Sequence, residues 1–387
     1  MEYRDMLSYL YNIESEKKWK FGLERTEMLL EKIGNPHKHV KAFHVTGTNG
    51  KGSVCAMISA IIGRRHKVGM FTSPHLVSFN ERFVIGGEEA SDEQILAVFS
   101  KIKPHITDQT FFEIVTCMAF LLFREKKVEY AVIEVGLGGR LDATNVITPL
   151  VSVITMVDYE HTNILGESLE EITLEKCGII KQGIPVVTGS KKEIVLKIIE
   201  RVASSRGSEL VVSRERYKTN LLGDYQELNA GISVTAIRKA GLSFSEHEIE
   251  DSLMNVSLKG RLDYHGNLLF DVAHNPSGIN SLVEYLKSHE KKRIICIFGV
   301  LSDKDWKKMV DKLCEVADYF VLTTPQSDRA LDPSVVANYI SGKKDCVVEK
   351  TPQMAFEFAM GMAKREELVL VTGSFYVVGD FYQKVFK

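Results

Sequence analysis

The stretch HVTGTNGKGSV, His44 to Val54, decides how the rest of the chain is read. Ahead of it, Val40 to Val45 (VKAFHV) is a short apolar run suited to a buried strand. Behind it, SVCAMISAIIGRR carries apolar residues at helical spacing. Strand, glycine-rich turn and helix, in that order, make a cradle for phosphate groups. Phosphates need inward-pointing backbone N–H groups, a cation and a helix N-terminus. Gly47, Gly50 and Gly52 allow the close backbone approach, with Thr48 and Asn49 between them. Lys51 is the cation, and the helix opening near Ser53 is the third component. The Ser53 hydroxyl is then placed to hold a magnesium ion that bridges phosphate oxygens. The spacing departs from G-x-x-x-x-G-K-[ST]: Val45 stands at the first glycine and Gly52 separates Lys51 from Ser53. A purely structural glycine turn is the alternative reading.

Working outward, the same alternation repeats. VGMFTS, YAVIEVGLGG, LVSVITMV and IPVVTG read as parallel-sheet strands, with helical stretches such as FFEIVTCMAFLLFREKK between them. Residues 1 to 35 carry apolar positions at helical spacing (Met6, Leu7, Leu10, then Leu23, Met28, Leu29, Leu30, Ile33) and stop at Gly34-Asn35-Pro36. Past residue 258 a second series begins: LLFDVAHNP, RIICIFGVL, YFVLTTP, CVVEK and ELVLVTGS. The prediction is an α/β protein: an N-terminal P-loop domain over 1–258 with a mostly parallel sheet, and a smaller Rossmann-like domain over 259–387.

Composition narrows the function. The 387 residues are 44% hydrophobic and 26% charged, and 49 Lys plus Arg against 51 Asp plus Glu leave a formal charge of -2. That balance offers no electrostatic footprint for nucleic acid or an anionic membrane. The basic runs Arg64-Arg65, Lys291-Lys292-Arg293 and Lys343-Lys344 read as solvated faces. Six scattered cysteines show no C-x-x-C pair and suit a reducing compartment. The start MEYRDMLSYLYN lacks a basic and apolar leader pattern, and no apolar run approaches the ~20 residues of a membrane span. A cytoplasmic location is expected.

Two further residues stand out by position. Glu134 lies at the carboxyl end of a predicted strand, where ligands gather in open parallel sheets, and a carboxylate there can hold a hard cation. His161 follows another strand end. Oxygen ligands dominate around magnesium, so chemistry alone leaves His161 equally a loop histidine.

TGTNGKGS, GLGGRLDATN (Gly136 to Asn145) and DVAHNP (Asp271 to Pro276) together resemble the Mur ligase superfamily, and within it the dihydrofolate synthase and folylpolyglutamate synthase family. The resemblance runs from residue 34 to 381. It implies ATP, and no N-K-x-D guanine motif follows. It implies two magnesium ions held by Ser53, Ser73, Glu134, His161 and Lys176, the last as a carbamate. Without the resemblance Lys176 is an ordinary helix lysine. In FTSPHLVSFNERFVIGG, Phe71 to Gly87, it implies a folate or pteroate pocket of Pro74, His75, Phe79 and Arg82, with Asp142 serving pteroate binding. Plain loop polar residues, and for Asp142 a hydrogen-bonded turn aspartate, are the structural alternatives.

On the adenine side the resemblance points to Asn229 in LLGDYQELNAGISV, where Tyr225-Gln226 replaces the usual His-Gln. The segment from Thr188 to Leu221 is shorter than in the family by about one small β element. Lys51, Lys176, Arg261 and His274 are the implied catalytic residues: Arg261 reaches the ATP phosphates, Asp271 the nucleotide, and His274 the acyl phosphate. A surface arginine and a helix-capping turn are the alternatives for Arg261 and DVAHNP. VTGSFYVVGDF, Val371 to Phe381, carries no assigned role. The implied reaction joins L-glutamate to the carboxylate of dihydropteroate or a reduced folate through an acyl phosphate, in a monomer. A cell-wall Mur ligase is the nearest competitor, yet only 46 residues precede Gly47, too few for its extra N-terminal domain. A non-catalytic ATP-binding homologue is the other.

Overall fold

The computed structural model describes residues 2–16 and 22–385. They fall into two compact units. The first comprises Met1–His75, Phe79–Asn220 and Glu227–Val256; the second comprises Leu76–Ser78, Leu221–Gln226 and Ser257–Lys387.

In the first unit eight strands form one sheet: β1 (Lys41–Thr46), β2 (Val68–Phe71), β3 (Phe83–Ile85), β4 (Glu88–Glu89), β5 (Tyr130–Glu134), β6 (Val151–Ile154), β7 (Val186–Thr188) and β8 (Leu210–Val212). Their order is β4-β3-β2-β5-β1-β6-β7-β8, parallel except for the β2-β3-β4 edge. β1 pairs with β5 on one side and β6 on the other; β1 leads on to β2 and β6 to β7, so the loops leaving these two neighbours part in opposite directions. Such a switch point is where α/β sheets bind ligands. β5 and β6 are buried throughout, as strands covered on both faces must be, which is why they read as unbroken apolar runs.

Polar side chains in these strands find partners. Thr46 Oγ1 donates to Gly138 O (2.6 Å) and Ser152 Oγ to Ile179 O (2.8 Å). The helix Lys51–Gly63 is buried along most of its length, and Phe111–Glu125 opens with a Thr110/Glu113 capping box whose glutamate also takes Arg25 at 2.7 Å. Helices Tyr3–Glu16 and Glu24–Lys32 deliver Met6, Leu10, Leu29 and Leu30 to the core, while Met28 is half exposed. The second helix stops where glycine and asparagine take left-handed backbone angles, Gly34 at φ 79° and Asn35 at φ 49°.

The second unit holds β9 (Asp263–His265), β10 (Leu268–Phe270), β11 (Ile294–Phe298), β12 (Tyr319–Thr323), β13 (Asp345–Glu349) and β14 (Leu368–Thr372), ordered β13-β12-β11-β14-β10-β9. All pairs are parallel except β9 with β10. The expected α/β architecture with a mostly parallel first sheet is therefore found. The strand series of the sequence reading omits β3, β4, β8 and β9. Gly86-Gly87 and Gly266-Asn267 are two-residue hairpin signals that mark three of them. Between Thr188 and Leu221 the chain forms the helix Glu193–Ser205 and β8. No helix among the described residues is long and apolar enough to cross a membrane.

The GLGGRLDATN turn packs onto the helix Leu169–Cys177. A Cβ on Gly178 would lie 2.3 Å from Arg140 Cα, so only glycine lets the turn and this helix end meet. Gly178→Ala is expected to lower stability by about 1–3 kcal/mol in urea unfolding. Gly63→Ala, whose Cβ would meet nothing within 4 Å, is expected to be neutral or slightly stabilising. Equal midpoints for the two variants would contradict this packing.

Candidate functional site

The phosphate loop is shaped from outside by the end of β6. Thr48 N donates to Met156 O (2.7 Å), and the Thr155 hydroxyl donates to Asn49 O (2.7 Å). Thr48 Oγ1 donates to Asp158 O (2.9 Å) and accepts from Asp158 N (3.0 Å). Thr48 thus spends its amide and hydroxyl on the loop's own geometry. Gly47 is required by packing: a Cβ there would sit 1.8 Å from Thr155 Oγ1. Gly50 takes φ 89° and opens the helix Lys51–Gly63, and a Cβ on it would lie 2.8 Å from Asn229 Oδ1. A Cβ on Gly52 would lie 3.8 Å from Glu134 Oε2. Asn229 and Glu134 therefore flank the loop.

Lys51 curls over the loop and donates to Gly47 O (3.0 Å) and Thr48 O (3.1 Å). Glu134, buried at the end of β5, accepts from Ser73 N (3.2 Å). Lys176, on the helix Leu169–Cys177, is 3% exposed. Burial pushes its amine down to about 7, the positive charge of Lys51 pushes the same way, and Glu160 and Asp142 oppose. Its Nζ has no hydrogen bond or ion pair among the described residues. A buried lysine in that state is unusual, because an uncompensated ammonium is costly away from water.

His161 takes φ 50° ahead of the short helix Thr162–Leu165, with Nε2 3.9 Å from Glu160 Oε1. Glu160 thus lies near both His161 and Lys176. The sequence reading passes over it, although it immediately precedes a residue already singled out.

In the loop after β2 the structure brings three expected residues together. Arg82 Nε donates to His75 Nδ1 (2.8 Å), and the guanidinium lies over Phe79 (5.9 Å) and Phe111 (5.3 Å). His75 packs edge-on against Phe79, and burial and then Arg82 push its imidazole down to about 3. Pro74 follows Ser73 through a cis peptide. Asp142, expected on the substrate, is engaged by its own turn: Oδ2 accepts from Leu137 N (2.9 Å) and Oδ1 from Thr144 N (3.0 Å). Burial raises its pKa against these bonds.

In the second unit Asp271 clamps the Arg261 turn. Its Oδ2 accepts from Leu262 N (3.0 Å) and its Oδ1 from Ala273 N (2.9 Å), while Val272 N donates to Gly260 O (2.9 Å). The carboxylate expected on the nucleotide thus orders the chain around Arg261. Arg261 lies 5.3 Å over the Phe375 ring, against which His274 also packs (5.4 Å), and His274 Nδ1 donates to Val272 O (2.9 Å). Phe375 comes from the C-terminal motif to which the sequence reading gave no role, and it sets both side chains.

Among the described residues no three His, Cys, Asp or Glu side chains converge as a metal cluster. The donors near the loop are instead a buried carboxylate, Glu134, and the buried Ser53 hydroxyl, which makes no hydrogen bond among the described residues. Hard oxygen donors of this kind fit magnesium, and Lys176 would join them only after gaining a carboxylate.

Both halves of the chain carry the marks of one class of enzyme, the Mur ligases: residues 45–237 match the Mur ligase middle domain and residues 260–375 the glutamate ligase domain. Within that class the chain belongs to the dihydrofolate synthase/folylpolyglutamate synthase family. The Bacillus subtilis (strain 168) dihydrofolate synthase/folylpolyglutamate synthase is 34% identical, over 95% of each chain. The Escherichia coli (strain K12) enzyme of the same name is 32% identical over 98% of this chain and 94% of its own. Among solved structures, E. coli FolC in complex with DHPP and ADP superposes with TM-score 0.91 at 30% identity, covering 100% of this chain and 98% of that one. The bifunctional Yersinia pestis enzyme complexed with AMPPNP and Mn ion gives TM-score 0.90 at 29% identity, with the same coverage.

The neutral His75 makes stability depend on pH. Its folded pKa, about 3, lies below the ordinary 6.5, so between those values the unfolded chain binds the extra proton. Stability from this group is whole above about pH 6.5 and falls as pH drops toward 3. His75→Asn is expected to lose less stability than wild type between about pH 7 and pH 5, by about 2 kcal/mol in urea unfolding. Parallel losses in the two proteins would contradict the assignment.

Proposed function

We propose that the chain is an ATP-dependent ligase that joins L-glutamate to the carboxylate of dihydropteroate or a reduced folate, and that it serves both substrates. The observation that carries this reading is Lys176: a buried amine, unpaired among the described residues, beside the lysine of a phosphate loop, in a chain of this family. A lysine with a merely structural role would bring its charge to a carboxylate or to water. A neutral amine can instead add carbon dioxide, forming an N–C bond and releasing a proton, which turns the side chain into an anionic oxygen ligand.

Ser53, Ser73, Glu134, His161 and Lys176 as carbamate would hold two divalent cations, magnesium in the ordinary case. When bound, such cations neutralise phosphate charge. Lys51 and the loop N–H groups orient the triphosphate, and Asn229 stands on the adenine side. The terminal phosphoryl group passes to a substrate carboxylate oxygen as its bond to ADP breaks. The glutamate amine then attacks the acyl carbon, the C–N bond forms, and phosphate leaves with the electron pair of the C–O bond. No covalent enzyme intermediate is needed, so the protein contributes positioning and charge. Arg261, held on Phe375, matches the developing phosphoryl charge, and His274 attends the acyl phosphate. Asp271 acts by fixing the turn that presents Arg261. His75, Phe79 and Arg82 line the pterin pocket. Small molecules are the partners, and the family resemblance extends to a cytoplasmic monomer with domains at 1–258 and 259–387.

The test supplies dihydropteroate or tetrahydrofolate with L-glutamate, magnesium and ATP and weighs the products. A gain of one glutamyl unit on each substrate is expected, and none with Lys51→Ala. ATP hydrolysis without a glutamylated product, or glutamylation of a nucleotide-sugar peptide in its place, would overturn the reading.

A further inference from the structure

Two polar contacts, each with a buried partner, tie the first helices of the chain to the aromatic residues around Arg82, and the reaction described above makes no use of them. The first is made by Asn80, a buried member of the turn Phe79–Arg82. Its Nδ2 donates to Ala90 O (2.8 Å) and Asp92 Oδ1 (2.8 Å), and its Oδ1 accepts from the Tyr3 hydroxyl. Ala90 O can only accept, so the amide has one orientation and the Tyr3 hydroxyl is the donor. Burial, with Asp92 adding to it, raises the pKa of the Tyr3 phenol and keeps that hydrogen in place.

The second contact is an ion pair. Arg25 donates from Nε (3.2 Å) to Glu113 Oε2 and from a terminal nitrogen (2.7 Å) to Glu113 Oε1, with the two side chains 15% and 5% exposed. Glu113 Oε2 also accepts from Thr110 N (2.7 Å), the residue that caps the helix Phe111–Glu125. Gln109 Nε2 donates to Arg25 O (3.2 Å). The start of that helix is thereby fastened to the helix Glu24–Lys32, and Phe111 stacks on Tyr11 of the first helix at 6.0 Å.

Arg82 stands between the two anchored pieces. Its guanidinium lies 5.9 Å from the Phe79 ring centre and 5.3 Å from that of Phe111, and the two rings meet edge to face at 6.3 Å. Phe79 belongs to the turn that Tyr3 holds, and Phe111 to the helix start that Arg25 holds. A cation is drawn to an aromatic face within about 6 Å of its centre, so a small displacement of either ring loosens Arg82. His75 is loosened with it, because its Nδ1 accepts from Arg82 Nε (2.8 Å). The two helices do not need these contacts to adhere, since Met6, Leu10, Leu29 and Leu30 are already buried in the core. Satisfied polar bonds at two points add direction to an attachment that apolar burial secures.

We propose that Tyr3 and Arg25 are positioning residues: through Asn80 and Glu113 they fix the two walls around Arg82, and so set the affinity of the chain for the pterin end of its substrate. The substrate part of the proposal rests on the ligase reading above; the bracing of Arg82 does not.

The experiment has two arms. In the first, kcat and KM are measured for Tyr3→Phe, which removes one hydroxyl, and Arg25→Lys, which keeps the charge and loses the fork. Both are expected to raise KM for dihydropteroate and for tetrahydrofolate about 3- to 10-fold, with kcat and KM for ATP nearly unchanged. Lys101→Gln, which removes an exposed ion pair with Glu125, is the control and is expected to change none of these. In the second arm, nitrogen-15 NMR of arginine- and histidine-labelled protein reads the Arg82 Nε–H, assigned through its hydrogen-bond coupling to His75. The signal is expected to shift in Tyr3→Phe and Arg25→Lys and to stay in place in Lys101→Gln. Contacts with a merely structural role would lower the urea midpoint and leave KM and the Arg82 signal at wild-type values, and that result overturns the proposal. So does a rise in KM for ATP that matches the rise for dihydropteroate. If Arg25→Lys does not fold, Tyr3→Phe decides by the same readings. Wild type that glutamylates neither substrate sinks the ligase reading, and the Arg82 signal then decides the brace alone.

Discussion

Lys176 is held where water scarcely reaches its amine and where Lys51 already contributes a positive charge. An ammonium there would stand without a carboxylate in ion-pair range among the described residues, and the cost of such a charge is several kcal/mol. The amine yields its proton near neutral pH instead. Because its folded pKa lies below the unfolded one, this lysine weakens the fold: the penalty is complete below about pH 7 and disappears as pH rises through 10.5. A protein keeps such a residue for chemistry. The flanking loop, turn and strand ends can all be understood as the frame that holds it there.

That frame is built mostly from backbone. Met156, Thr155 and Asp158 at the end of β6 fix the loop, leaving Lys51 to reach across it. The glycines of GLGGRLDATN let a turn lie directly on the helix of Lys176, with Arg140 N bonded to Glu175 O. Asp142 and Asp271 do similar work in the two units: each is a buried carboxylate that spends its oxygens on nearby amides and so sharpens a turn that presents something else. Charge is thereby turned into geometry.

The parallel strands were legible from the sequence because burial on both faces demands unbroken apolar runs, as in YAVIE and VSVI. β4 has two residues and β9 three, too short for any periodicity to register, and only their glycine turns announced them. Lys51 and Glu134 lie at the loop because strand ends and helix starts follow from local pattern, whereas Asn229, which lies beside Gly50, was reached only through the family resemblance. The turn bonds of Asp142 and Asp271 were open to the sequence only as alternatives to a ligand role, and the work of Phe375 was not legible. Phe375 meets Arg261 and His274 only through folding, which no spacing in the chain encodes, whereas Thr144 N and Ala273 N lie two residues beyond Asp142 and Asp271, the local turns that stood as the structural alternatives. Glu160 was hidden for a simpler reason: its neighbour His161 drew the chemical argument.

The most direct measurement of the central claim is carbon-13 NMR of the whole protein equilibrated with carbon-13 bicarbonate and magnesium. A single carbamate resonance that vanishes in Lys176→Gln is predicted. A spectrum without such a resonance, from protein in which the Lys176 amine titrates near the ordinary lysine value, would contradict the account.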